Sequence, residues 1–368
     1  MGYSKSTSFS HKSKEGAYKN YLAPDFVIHV GSATLDSRKV PVTELEVKMT
    51  LEGAGYARFT LTALYDFKLS KWVSDLISGI EIGQLVDVEV GYSGSDTRIF
   101  LGYVDSYTVN FDSGSTPGIS ITAMDAIAIL NADRREISLG QKGTKDFVEG
   151  LIKDSKLSSL VDEGVSVDNF EIQQRQDVKK NVSRGEFILE QARKNFLSFC
   201  VIDGELILKN LTKNTKILTT LTMGLDLKSF SKTVNLKSRM VGKVTVEGLD
   251  KNMKPITAST SSISGGKGNA PSDVKQLKNS ELKVTAPELD TAEACQKLSE
   301  NLLKNASWGF MEADAECIGY PGMMPGRYIT IAGLDKRSNG DYFVTSVVHS
   351  FSSDGYVNKI HMKGLFEK

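Results

Sequence analysis

The chain has 368 residues, and its 45 Lys plus Arg balance 45 Asp plus Glu, so no global field draws it to nucleic acid or to an anionic membrane. Hydrophobic residues at 40% and charged residues at 24% are globular proportions, and a chain of this length forms two or three domains rather than one. Cys200, Cys295 and Cys317 lie far apart with no C-x-x-C pair. That pattern encodes neither a disulfide framework nor a cysteine zinc site, and it fits cytosolic synthesis.

The first residues, MGYSKSTSFSHKSKEGAYKN, carry scattered lysines and no apolar run, so residues 1–24 read as a flexible N-terminal arm without the hydrophobic middle of a signal peptide. No stretch approaches the ~18 apolar residues of a membrane span, and no stable membrane insertion is expected. From Val40 the pattern has period two. Val42, Leu45, Val47, Met49 and Leu51 precede Gly53 and Gly55, then Phe59, Leu61 and Ala63 alternate, which predicts a strand, a turn and a strand. Leu69, Trp72, Val73, Leu76, Ile77 and Ile80 then share a helical face, with Asp66 or Ser70 able to cap. Strands return in GQLVDVEVGYS, RIFLGYVDSYTVNF and GISITAMDA, and residues 25–130 read as a first β-barrel.

Residues 131–225 change character to an α/β middle domain. Thr144 can cap a helix carrying Phe147, Val148, Leu151 and Ile152; Ser183 and Glu186 have capping-box spacing before Phe187, Ile188, Ala192 and Phe196. Asp203-Gly204 between two apolar runs is a hairpin turn. Residues 226–368 read as a second β-barrel, interrupted by an exposed Ser/Gly-rich loop at 257–273 and a helix at 290–306 bearing Ala292, Cys295, Leu298, Leu302 and Ala306. The stretch Gly83–Gly91 resembles Gly326–Gly333, each followed by a polar turn and a long alternating strand, with Gly102–Ser106 set against Val344–Val348. The expected fold is therefore α+β, mainly β: two similar barrels around an α/β insert.

Chemistry has little foothold. His11, His29, His349 and His361 form no metal-ligand spacing; Gly265-Gly-Lys-Gly268 departs from a phosphate loop; and Gly91–Ser95 has the wrong spacing for a nucleophile elbow. Glu312, Asp314 and Glu316 share one strand face, which suits a glycoside-cleaving pair but equally a solvated edge or a subunit contact. No catalytic, metal or cofactor residues are assigned, and no cofactor is expected.

Two stretches carry a family resemblance. NVSRGEFILEQARKNFLSFCVIDGELILKN, with Ser183, Glu186, Phe187, Leu189, Ala192 and Asp203-Gly204, resembles a segment of the phage late control gene D family, which includes the baseplate hubs of contractile tails and the hub portion of VgrG proteins. PGRYITIAGLDKRSNGDYFVTSVVHSF, with Pro325-Gly326, Tyr342, Val344, Val347 and His349, is similar to that family's closing barrel. The resemblance implies a non-enzymatic baseplate hub of a phage, tailocin or contractile injection particle, assembled in the bacterial cytoplasm as part of the virion tail or baseplate. It implies a homotrimer whose two barrels per protomer adapt a sixfold tail tube to a threefold spike, with tube protein, a separate spike protein and other baseplate proteins as partners and no nucleic-acid sequence recognition. With the chain ending at Lys368, the spike is expected to be a separate polypeptide. The alternative is a cell-wall hydrolase or an accessory glycan-binding module of a tail tip.

Overall fold

The computed structural model describes residues 2–40, 42–62, 65–72, 80–94, 96–111, 116–138, 143–172, 182–237, 240–263 and 270–366. The segment expected as a free arm is packed. Helix α1 (His11–Glu15) lies between two 3-10 turns, and Tyr3 and Tyr18 are only 8% and 6% exposed. Lysines give this stretch its soluble composition, but its tyrosines anchor it: Tyr18 stacks on Tyr92 at 5.2 Å and Tyr21 meets Tyr320 at 5.6 Å.

The first barrel comprises β1 (Pro24–Val30), β2 (Ala33–Asp36), β3 (Val42–Thr50), β4 (Tyr56–Thr62), a small hairpin of β5 (Tyr65–Asp66) and β6 (Lys71–Trp72), then β7 (Leu85–Tyr92), β8 (Thr97–Asn110) and β9 (Gly118–Met124). Period-two alternation buries one face, so Leu45, Val47, Met49, Phe59 and Leu61 are all inside. No helix starts at Asp66 or Ser70. Asp66 Oδ1 accepts the N–H groups of Lys68 and Leu69 at 2.8 and 3.0 Å and closes the β5–β6 turn instead. The remainder of that expected helix, 73–79, lies outside the described residues.

The α/β unit contains α2 (Ala126–Ala132), α3 (Thr144–Asp154), β10 (Gly164–Val167), α4 (Arg184–Lys194), β11 (Ser198–Ile202) and β12 (Glu205–Lys209). Gly143, not Thr144, is the cap of α3; the Thr144 hydroxyl accepts the Phe170 N–H at 2.9 Å. The second barrel begins with β13 (Ile217–Thr222) and β14 (Leu227–Val234). A lobe of β15 (Lys243–Leu249), β16 (Pro255–Thr260), β17 (Glu281–Thr285) and α5 (Ala292–Ser307) follows with its own apolar core. The start of the expected 257–273 loop is thus strand, Thr257–Thr260 pairing with β15, while Gly265–Gly268 lies outside the described residues. Strands β18 (Met311–Ile318), β19 (Tyr328–Ala332), β20 (Gly340–Ser352) and β21 (Gly355–Gly364) complete the barrel.

The two barrels share one strand order. Neighbours run β1-β7-β8-β9-β4-β3 in the first and β13-β19-β20-β21-β18-β14 in the second. Irregularities recur at matching places: β8 slips against β9 between Val104 and Ser106, and β20 against β21 between Val344 and Ser346. Likewise β3 slips against β4 between Val42 and Glu44, and β14 against β18 between Leu227 and Ser229. Gly83 donates to Val104 O at 2.8 Å and Val104 to Gln84 O at 2.8 Å; Gly326 donates to Val344 O at 2.8 Å and Val344 to Arg327 O at 2.9 Å. Gly83 therefore matches Gly326, as the sequence suggests, but Val104 matches Val344. The hairpins differ in length, so Gly102 aligns with Tyr342 instead of Val344. Both barrels belong to one thirteen-stranded sheet, fused where β20 pairs with β3.

Candidate functional site

The residues singled out in the sequence gather at two places. Ser183 and Glu186 form the reciprocal cap of α4: Ser183 Oγ accepts the Glu186 N–H at 3.0 Å and Glu186 Oε2 accepts the Ser183 N–H at 2.9 Å. The helix thereby directs Phe187 and Ala192, 1% and 0% exposed, into the α/β core, with half-buried Leu189 packed against it. Asp203 and Gly204, at φ 45° and 75°, make the β11–β12 turn.

That turn is bound to the first barrel by Arg98, which sequence reasoning did not single out. Arg98 Nε donates to Asp203 Oδ1 at 2.6 Å, and its two terminal nitrogens donate to Asp162 at 2.8 and 2.9 Å. Asp87 lies 3.5 Å away, and the surrounding carboxylates hold the guanidinium above its ordinary pKa, although burial pulls the other way. Four carboxylates lie within 4 Å of this guanidinium, and three of them, Asp162, Glu163 and Asp203, belong to the α/β unit, so the cluster braces that unit to the barrel. No local signal in RIFLGYVDS marks this role, because its partners come from other segments.

The second place is the seam between barrels. Gly326 takes φ 81° and its carbonyl accepts the Tyr3 hydroxyl at 2.9 Å. Pro325, Tyr342, Val344 and Val347 are buried, and the Val344 carbonyl accepts the Gly326 N–H at 2.8 Å. His349 is fully buried, with Nε2 3.0 Å from Met323 O and Nδ1 2.6 Å from Tyr356 Oη and 3.0 Å from Asn358 Nδ2. A carbonyl beside Nε2 requires a proton there, so Nδ1 accepts from the phenol and the amide and the ring is neutral. Burial pushes its pKa down to about 4, only partly opposed by the Met323 carbonyl. This imidazole positions strands and has no water-facing nitrogen to serve as a base.

The carboxylates considered for hydrolysis are individually paired. Glu312 meets Lys237 Nζ at 2.5 Å, Asp314 meets His361 Nδ1 at 2.7 Å, and Glu316 lies 3.9 Å from Lys228 Nζ. They line the outer face of β18, whose alternate residues Ala313, Ala315 and Cys317 are buried. A cleft of about 640 Å³ opens near Lys232, Lys304, Trp308, Tyr328 and Arg337, with cations and aromatics but no nucleophile–base pair among these residues.

What the surface does offer is strand edge and exposed apolar surface. Beyond the end of β7, the β7-side edge of β8 from Ser106 to Asn110 has no strand beside it among the described residues, and neither has the edge of β14 opposite β18. Tyr107, Val109 and Phe111 are 47%, 39% and 51% exposed, and Phe111 continues into an aromatic group with Tyr65 at 4.8 Å and Trp72 at 5.7 Å. Open edges and contiguous exposed apolar groups are interaction features. The alternation Tyr107, Val109, Phe111 was visible in the sequence; that it outruns its partner strand was not.

No curated protein matches the sequence. The fold is similar to that of a 43 kDa tail protein of prophage MuSo2 from Shewanella oneidensis, at 18% identity and TM-score 0.71 over 92% of this chain and 98% of that one. It is also similar to a tail protein from Neisseria meningitidis, at 11% identity and TM-score 0.69 over 93% and 97% of the two chains. A type VI secretion component of Escherichia coli, described as structurally similar to bacteriophage T4 tail proteins, matches at 10% identity and TM-score 0.51 over 93% of this chain and 76% of that one. These likenesses tie the mainly β fold to that of tail proteins, whereas the matching family model carries a name other than late control gene D. On the span it matches, residues 23–353, the chain belongs to the family described as the Alg8 N-terminal domain.

Proposed function

We propose that this chain is a non-enzymatic structural hub of a phage tail or tail-like baseplate. Its two barrels per protomer, arranged as a homotrimer, present six similar units to a tail tube and a threefold seat to a separate spike. The observation that carries this reading is the repeated strand order with matched bulges, in a fold similar to that of two tail proteins along nearly their whole length. A symmetry adaptor needs an internal repeat, and a monomeric enzyme does not.

In this reading the chain divides into an N-terminal segment at 1–24, a barrel at 25–130, the α/β unit at 131–225 that braces neighbouring protomers, and a barrel at 226–368. Other baseplate proteins and the tube would contact the ring faces, placing the protein in the virion or particle. The hydrolase alternative draws no support from Glu312, Asp314 and Glu316, which already lie against Lys237, His361 and Lys228.

Light scattering of the purified protein after size exclusion tests the assembly. A species near 120 kDa, three times the 40.2 kDa chain, stable at low and high salt, is the expected result; a 40.2 kDa species at every concentration would overturn the trimer.

A further inference from the structure

The junction between the two barrels has a counterpart position that is open in the single chain. Along one edge, β20 pairs first with β19, over Gly340–Phe343, and past its bulge with β3, from Ser346 opposite Thr50 to Phe351 opposite Leu45. Its counterpart β8 pairs with β7 as far as Tyr103, and past the equivalent bulge the same edge is open among the described residues. The strand corresponding to β3 is β14. Stepping through the registers of β4 on β9 and β18 on β21, and aligning the bulges at Thr43 and Lys228, places Leu45 with Phe230, Val47 with Lys232, Lys48 with Thr233 and Met49 with Val234. β14 ends the sheet path, and past the bridge of Leu227 to Met223 its outer edge is open among the described residues.

Burial shows the same missing partner from both sides. Val347, His349 and Phe351 of β20 are 0%, 0% and 6% exposed, whereas their counterparts Tyr107, Val109 and Phe111 are exposed apolar side chains. Leu45, Val47 and Met49 of β3 are buried; Phe230, Lys232 and Val234 are half-buried. Each open edge of this chain has the complement of the other.

We propose that β8 of one copy pairs antiparallel with β14 of a second copy in the register of the internal junction. Ser106 then faces Asn235 of the second copy, Thr108 faces Thr233 and Phe111 faces Phe230. Tyr107, Val109 and Phe111 become buried as Val347, His349 and Phe351 are. The contact is head-to-tail, so each copy offers one edge and accepts one, and repetition closes a ring of alternating internal and intermolecular junctions. Closure at three copies rests on the hub reading above; the register rests on the repeat.

Paired cysteines test the register. Directly opposite residues in an antiparallel pair have Cβ atoms ~4.5–5.5 Å apart, near disulfide reach, and Thr108 and Thr233 are both exposed while the native cysteines are buried. Full-length protein carrying Thr108→Cys and Thr233→Cys, mildly oxidised, should give a reducible ladder ending at the covalent trimer. Thr108→Cys with Ser229→Cys, out of register, should remain monomeric on the denaturing gel. Tyr107→Glu, at a side chain already exposed in the single chain, should weaken self-association about tenfold or more without changing the melting of the isolated protomer. A trimer mass without the in-register ladder, or with equal ladders from both pairs, overturns this pairing and leaves the hub reading intact; a wild type that never exceeds the protomer mass overturns both.

Discussion

The two barrels share a strand plan yet differ in what hangs from it. β3 passes to β4 through five residues, Leu51–Gly55, while the corresponding step from β14 to β18 accommodates the whole 243–307 lobe. β1 runs antiparallel to β7, but β13 runs parallel to β19. The central pairings carry the same bulges in both barrels, and equivalent core positions hold Val104 and Val344, Ala57 and Ala313, and Ile121 and Ile360, all buried. The repeated part is therefore the central ladder, where side chains interdigitate on a buried face, and the varied part is the turns and outer strands, which tolerate insertion.

The sharpest difference within that ladder is a transposed aromatic. Phe59 on β4 faces Leu45 on β3, whereas Ala315 on β18 faces Phe230 on β14. Volume moves across the strand pair and the pair keeps one aromatic. Phe59→Ala should destabilise the protein by ~3–5 kcal/mol, read from the urea midpoint at unchanged slope. Adding Leu45→Phe, which copies the second barrel's arrangement, should recover ~1 kcal/mol or more. A double variant no more stable than Phe59→Ala would break the equivalence of these two sites.

How much of this was readable in the sequence follows from where each signal resides. Alternation such as Leu45-x-Val47-x-Met49 and dipeptides such as Asp203-Gly204 are local, and they gave the strands and the hairpin. The Gly83–Gly326 match also survives, while the strand alignment beyond it was displaced because hairpin length is invisible to a pairwise echo. The β1–β2 hairpin at 24–36, turning at Gly31 with φ 55°, went unread because its apolar run is short. Arg98 and the buried anchors Tyr3 and Tyr18 act through partners distant in sequence, which no window along the chain contains.

Each barrel also buries a group whose titration affects stability in the acid range, and the two have opposite pH responses. Asp125 caps α2 after β9 and accepts the Gly55 and Ile127 N–H groups at 2.6 and 2.9 Å, yet burial raises its pKa from 3.8 to about 7. Its native state prefers the proton, so stability is lost as pH rises from 3.8 towards 7. His349 in β20 has its pKa lowered from 6.5 to about 4, so stability is lost as pH falls from 6.5 towards 4. The two slopes oppose each other across one window, each amounting to roughly 3 kcal/mol. Asp125→Asn should leave a protein that weakens as pH falls from 6.5 to 4, and His349→Gln one that weakens as pH rises across the same range. Denaturant midpoints at several pH values measure the difference between the two variants, in which the remaining carboxylates cancel; parallel profiles would show that the barrels are not counterposed.

The smallest expected difference concerns the matched glycines themselves. Gly83 and Gly326 have φ 85° and 81° and make the same backbone hydrogen bonds. An L side chain in that region costs ~1–2 kcal/mol, and this part should be shared by Gly83→Ala and Gly326→Ala. Their surroundings differ, however: a Cβ on Gly83 meets nothing within 4 Å, whereas one on Gly326 would stand 2.7 Å from Leu211 Cδ1 and 3.1 Å from Tyr3 Cε2. Gly326→Ala should therefore lose a further ~1 kcal/mol from overpacking, and a Tyr3→Ala background should remove part of that excess. Equal losses at both glycines would mean that Leu211 and Tyr3 both yield without cost, and that the packing which distinguishes the second barrel at this point is loose rather than a constraint on it.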